Sequence, residues 1–152
     1  MALSIRSGAA YVVPVYQYSC SALNSPNPVK DVRANSLSLR GIQIQNNSTN
    51  IAEIKLMKLT VHDPSIQGGS YSCTVGSKEL ESMSTSWASL KPGATALSEC
   101  ALRCGGFAVV DPARSFAARG DVKILGAMTD PAGNQQSSES TYPITIIYQG
   151  GF

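Results

Sequence analysis

Charge is scarce in this chain: 12 basic and 10 acidic residues amount to 14% of 152 positions, against about 25% in an ordinary soluble domain. The lysines and arginines stand singly, so the net +2 forms no basic patch or stripe and nucleic acid is not an expected partner. Histidine is nearly absent. His62 is the one imidazole; no serine lies in a G-x-S-x-G elbow, and strand alternation would send Asp63 to the face opposite His62. The paired base and nucleophile of a hydrolase are therefore missing. A single histidine also excludes a blue-copper centre, which takes two histidines, a cysteine and a weak axial methionine. Glu79 and Glu81 are close only along the chain, and "SKELES" reads as a solvated turn rather than a glycosidase carboxylate pair. We expect no catalytic residues, no metal and no cofactor.

Long apolar runs are missing too. Nothing approaches the ~18 residues of a membrane span, and the opening "MALSIRSGAAYVVPVYQY" has proline and polar residues where a signal peptide keeps an unbroken apolar core. No long window carries apolar residues at i, i+3, i+4 and i+7, which argues against amphipathic helices.

Period-two alternation is what the sequence has instead. "SYSCTV" sets Tyr71, Cys73 and Val75 on one face, and "YPITIIY" does the same with Tyr142, Ile144, Ile146 and Tyr148. Pro143, lacking an N–H, marks a strand edge or start. Further strands are expected at Ala10–Tyr18, Leu37–Gln45, Ile51–His62, Thr95–Cys104, Phe107–Val110 and Asp121–Met128, making about eight. Gly/Pro/Asn turn signals such as "NSPNP", "NNSTN", "KPG" and "DPAGN" separate them. This is the pattern of an all-β chain, a sandwich or a barrel rather than a βαβ protein; the fold expected for it is an antiparallel β-sandwich, immunoglobulin-like or jelly-roll-like. Within "LSLRGIQIQ" the apolar phase changes at Gly41, which reads as a β-bulge. "NNSTN" reads as an exposed hairpin loop, with Ile42 and Ile44 before it facing Ile54 and Leu56 after it. That loop holds two overlapping N-x-S/T sequons, so Asn46 and Asn47 are candidate glycosylation sites as well as ordinary turn residues. "ARGD" contains an adhesion tripeptide at Arg119–Asp121, but reads as the turn before the strand at Val122.

Cys20, Cys73, Cys100 and Cys104 are the cysteines. At least one disulfide among them is expected, with three complete pairings open. Buried thiols and a zinc site including His62 are the alternatives; "CALRC" is the one close pair. Disulfides together with abundant Ser, Thr, Asn and Gln suit an oxidising compartment, so the expected location is extracellular or at a cell surface.

One domain suits the length, with three parts: an N-terminal strand within residues 1–20, a polar, proline-containing linker over 21–36, and a sandwich over 37–152. In the first part Tyr11, Val12, Val13, Val15 and Tyr16 make both faces of the strand apolar, as in a strand buried on both sides within its own domain or one handed to a neighbouring copy by β-augmentation. Head-to-tail exchange of this kind builds a filament when the rotation does not close.

"SLKPGATALSECAL", "GDVKILGAMTDPAGN" and "TYPITIIY", with "IQIQNNSTNIAEIKLMKLTV", resemble an immunoglobulin-like surface domain of the kind found as the outer domains of archaeal pilins and archaellins. The resemblance covers residues 37 to 148 and excludes the N-terminal apolar helix of those subunits. It implies a structural subunit or adhesive module of an extracellular filament or coat, whose partners are copies of itself. The alternative expectation is a carbohydrate-binding, lectin-like module for cell-surface glycans, with Trp87, Tyr71 and Tyr142 lining the sugar site, although a lone Trp in an all-β chain is more often a core residue.

Overall fold

The computed structural model describes residues 3–6, 10–14, 35–39, 41–98 and 102–150. Among them are ten strands: β1 Leu3–Arg6, β2 Ala10–Pro14, β3 Asn35–Leu39, β4 Gln43–Asn46, β5 Ile51–His62, β6 Ser70–Gly76, β7 Thr95–Leu97, β8 Leu102–Phe107, β9 Phe116–Thr129 and β10 Gln135–Tyr148. One short helix, α1, spans Ser77–Met83. The chain is all-β and sandwich-like. A small sheet has the order β1-β4-β7 and a large sheet the order β6-β5-β9-β10-β2-β3-β8. All pairs are antiparallel except β2 with β10, which run parallel through Ala10–Ile146 and Tyr11–Ile147.

Alternation fixes which faces meet. Ile5, Ile44 and Ala96 of the small sheet share one buried cluster with Leu37, Leu59, Val122, Ile144, Ile146 and Tyr148 of the large one. Each Val, Leu or Ile among them gains about 1.5–3 kcal/mol on full burial. The "YPITIIY" face is as expected, with Ile144, Ile146 and Tyr148 buried and Tyr142 packed against the core. Pro143 lies inside β10 opposite Asp121. Its missing N–H is tolerated because β2, the strand on the other side of β10, pairs only at Ile146 and Ile147.

Several expectations are corrected. Gly41 is not a bulge within one strand: with φ of 67°, it lies where the chain leaves β3 in the large sheet and enters β4 in the small one. The phase change is real, because each sheet presents its apolar residues to the core from the opposite side. "NNSTN" likewise joins β4 to β5 across the two sheets and is not a hairpin loop. Register shifts fall instead between Asn35 and Leu37 in β3 and between Ile54 and Leu56 in β5. Beyond the second of these the inward positions are Met57, Leu59 and Val61, while Leu56 is only half-buried. "SKELES" begins α1 rather than a solvated turn, because Leu80 and Met83 are buried on one side of it. Thr95–Cys104 divides into β7 and β8, again in different sheets. Arg119–Asp121 sits inside β9, with no turn. A Cβ on Gly120 would meet the Thr60 carbonyl oxygen at 2.7 Å, so this glycine serves close strand approach.

The N-terminal region supplies two strands, both paired within the chain: β1 to β4, and β2 to β3 and β10. Tyr11, Val12 and Val13 lie in β2, whereas Val15 and Tyr16 fall outside the described residues. So does most of the expected linker, although its last two residues, Asn35 and Ser36, begin β3.

Candidate functional site

The order of the large sheet makes β6 and β8 its two edges, yet they lie side by side. Cys73 on β6 and Cys104 on β8 form a disulfide with Cα atoms 6.0 Å apart, so the sheet curls until its edges meet. The Tyr71 hydroxyl donates to the Gly105 carbonyl across the same seam, and the Tyr71 ring packs edge-on against Phe107 with centroids 5.1 Å apart. Further along, Ile66 and Val109 form a β-bridge, flanked by hydrogen bonds from the Gln67 N–H to the Ala108 carbonyl at 3.0 Å and the Val110 N–H to the Ser65 carbonyl at 2.9 Å. Exposed edges are a liability for pairing with other chains, and this seam removes two of them. Of the expected cysteines, Cys73 and Cys104 are thus accounted for; Cys20 and Cys100 lie outside the described residues. Among the described residues no cluster of three or more His, Cys, Asp or Glu side chains could hold a metal.

Burial pushes the Tyr71 phenol up to about 12, from an ordinary value near 10. A folded-state value above the unfolded one stabilises the protein below about pH 10, and that contribution is lost as pH rises towards about 12. Chemical denaturation from pH 9 to 12 should therefore show stability falling through this window, with a smaller fall in Tyr71→Phe. An identical pH profile for the two proteins would contradict the seam role.

At the end of the seam two Asp-Pro turns face one another and enclose a groove of about 130 Å³ lined by Pro64, Ser65, Val110, Asp111, Arg114 and Phe116. Each turn is locked by its aspartate: Asp63 Oδ1 accepts from the Ser65 N–H at 2.8 Å and Asp111 Oδ1 from the Ala113 N–H at 3.0 Å, the local side-chain to backbone bond that makes Asp a turn residue. The Tyr148 hydroxyl donates to the Pro112 carbonyl at 2.7 Å, and the Tyr148 ring lies 5.4 Å from that of Phe116. Burial, and then the Asp111 carboxylate, push the Tyr148 phenol up. Arg114 and Asp111 share the groove without an ion pair; the Lys123–Glu139 bridge at 3.0 Å is the salt bridge found among the described residues. Sequence reasoning passed over this groove. The repeated "DP" of "HDPS" and "DPAR" was its available signal.

The expected sugar-site aromatics do not converge. Trp87, in a 3-10 turn at Thr85–Ala88, has 0% exposure and donates from Nε1 to the Ala96 carbonyl at 3.3 Å; it is core. Tyr71 and Tyr142 lie on β6 and β10, three strand spacings apart in the large sheet, or roughly 14 Å. His62 is exposed at the end of β5.

The two sequon asparagines part company. Asn46 has 0% exposure; its Nδ2 donates to the Asn50 carbonyl at 2.7 Å and the Leu90 carbonyl at 2.9 Å, and its Oδ1 accepts from Ser48. A glycan on that nitrogen would break the connection between the sheets. Asn47 is exposed and bonds Ser4 Oγ.

The small sheet has a different character. Its outward rows are Ser4–Gln45–Thr95 and Gln43–Leu97, and Leu97 is 58% exposed. By register the one ionisable residue in these rows is Arg6, at the end of β1. Among the described residues β1 and β7 each pair on one side only. No protein-family model matches this chain, and no curated protein matches it.

Proposed function

We propose that the protein is a structural subunit or adhesive module of an extracellular or cell-surface assembly, built on an immunoglobulin-like sandwich and associating with copies of itself by strand pairing. The observation that carries this reading is the contrast between the sheets. The large sheet has its edges closed on one another by the Cys73–Cys104 seam. Among the described residues the small sheet keeps β1 and β7 as edges and carries outward rows of Ser, Thr, Gln and Leu, with Arg6 at the end of β1 by register. Natural edge strands are usually kept very short or blunted by charge, proline or a covering element; β7 is three residues long, with the sequence "TAL", and carries neither charge nor proline. A disulfide-closed body suits an oxidising exterior.

The immunoglobulin-like reading draws support from strand order. The pairing β1-β4-β7 follows the first, second and fifth strands of one immunoglobulin sheet, and β6-β5-β9-β10 follows the other sheet with its variable-type extension. Strands β3 and β8 are additions, and the disulfide links β6 to β8 rather than the two sheets of the sandwich.

With β2 already seated between β10 and β3, an exchanged N-terminal strand would fill the same place in a neighbour, whereas pairing through β1 and β7 extends the small sheet without dismantling the subunit. Native mass measurement combined with electron microscopy of the purified protein tests the reading. Oligomers or filaments of this chain are expected; a monomer at every concentration would overturn it.

A further inference from the structure

We propose that the groove between the two Asp-Pro turns binds a single neutral sugar ring, giving the module a glycan contact at the end of the seam, away from the small sheet. The proposal does not depend on self-association. It begins with an unusual pairing of neighbours: Asp111 and Arg114 both line a groove of about 130 Å³, and the salt bridge found among the described residues is elsewhere. Asp111 spends Oδ1 on the Ala113 N–H at 3.0 Å, which leaves the other carboxylate oxygen for a ligand donor. Arg114 offers guanidinium N–H donors to a ligand acceptor, and Ser65 a hydroxyl that serves either way.

A ligand that satisfies both must present donors and acceptors a few ångströms apart on one small body, as the vicinal hydroxyls of a pyranose do. The apolar wall agrees. Phe116, held against Tyr148 at 5.4 Å, lines the groove, and the negative face of an aromatic ring attracts the polarised C–H bonds on one side of a sugar ring. Val110, 60% exposed, and Pro64 supply the rest of the apolar lining. The walls are set before any ligand arrives: the Val110 N–H bonds the Ser65 carbonyl at 2.9 Å, and both turns are locked by their own aspartates. Such preorganisation lowers the ordering cost of binding. The groove is smaller than the ~300 Å³ and upward of drug-sized pockets, so it holds one ring, and the expected dissociation constant lies in the range of about 1 mM.

Amide chemical-shift titration of the full chain with methyl glycosides of glucose, galactose and mannose tests this, using Asp111→Asn in parallel. The amide oxygen of Asn can still accept the Ala113 N–H, so the turn and the fold are retained, while the charged acceptor is lost. Shifts confined to residues 64–65 and 110–116, weakened at least tenfold in the variant, are expected for one of the three glycosides. No shifts with any of them, or shifts that Asp111→Asn leaves unchanged, would overturn the site. Neither result bears on whether the small sheet assembles.

Discussion

Replacing both Cys73 and Cys104 by alanine is expected to cost roughly 3–4 kcal/mol of folding stability and to lower the melting temperature by about 10 °C. The bond joins positions 31 residues apart, and a cross-link of that span removes a large share of the unfolded chain's freedom. It also joins the two edge strands of the large sheet. Without it, β6 and β8 are held together by the Tyr71 hydrogen bond to Gly105 and the Ile66–Val109 bridge, and aggregation through freed edges is expected on partial heating. Scanning calorimetry of the double variant measures this without exposing the protein to a reductant. A loss below about 1 kcal/mol, the scale of one hydrogen bond, would show that the seam is held by its non-covalent contacts.

Trp87→Ala carries the second large effect, a destabilisation of about 3–5 kcal/mol from the cavity left by a large buried side chain. Trp87 has 0% exposure and anchors its turn to β7 by the Nε1 hydrogen bond to the Ala96 carbonyl at 3.3 Å. Truncation removes that hydrogen bond as well, whereas Trp87→Phe should retain most of the packing and lose chiefly the hydrogen bond, about 1 kcal/mol. Guanidinium denaturation of the two variants separates the contributions. Were Trp87 a sugar platform instead, the alanine variant would lose glycan binding and keep its stability.

The faces of the long strands were legible in the sequence because period-two burial is a local property: Tyr142, Ile144, Ile146 and Tyr148 share the inward side of β10, as their spacing implies. Sheet membership was not. The steps from β3 to β4 and from β7 to β8 look like continuous strands, since a chain that crosses between facing sheets keeps its apolar residues pointed at one core while changing phase. Gly41 showed the change, but a bulge and a sheet switch leave the same mark. Helix α1 was hidden because only Leu80 and Met83 reach the core, too few for helical periodicity to stand out in seven residues. Trp87 and Asn46 could not be placed by pattern, because their burial is decided by Ala96, Leu90 and Asn50, and the first two of these contacts join different elements. The groove was missed for the same reason: its turns, near positions 64 and 111, meet only when the large sheet closes.

Sedimentation velocity of the wild-type protein beside Thr95→Lys decides whether copies associate through the small sheet. Thr95 is exposed on the outward row of edge strand β7, opposite Gln45, so the lysine should change subunit stability by no more than about 0.5 kcal/mol while placing a charge where a second sheet would pair. Concentration-dependent oligomers are expected for the wild type and monomers for Thr95→Lys, at equal thermal stability. Wild-type protein that stays monomeric throughout, or a variant that associates as strongly as the wild type, would contradict association through the small sheet.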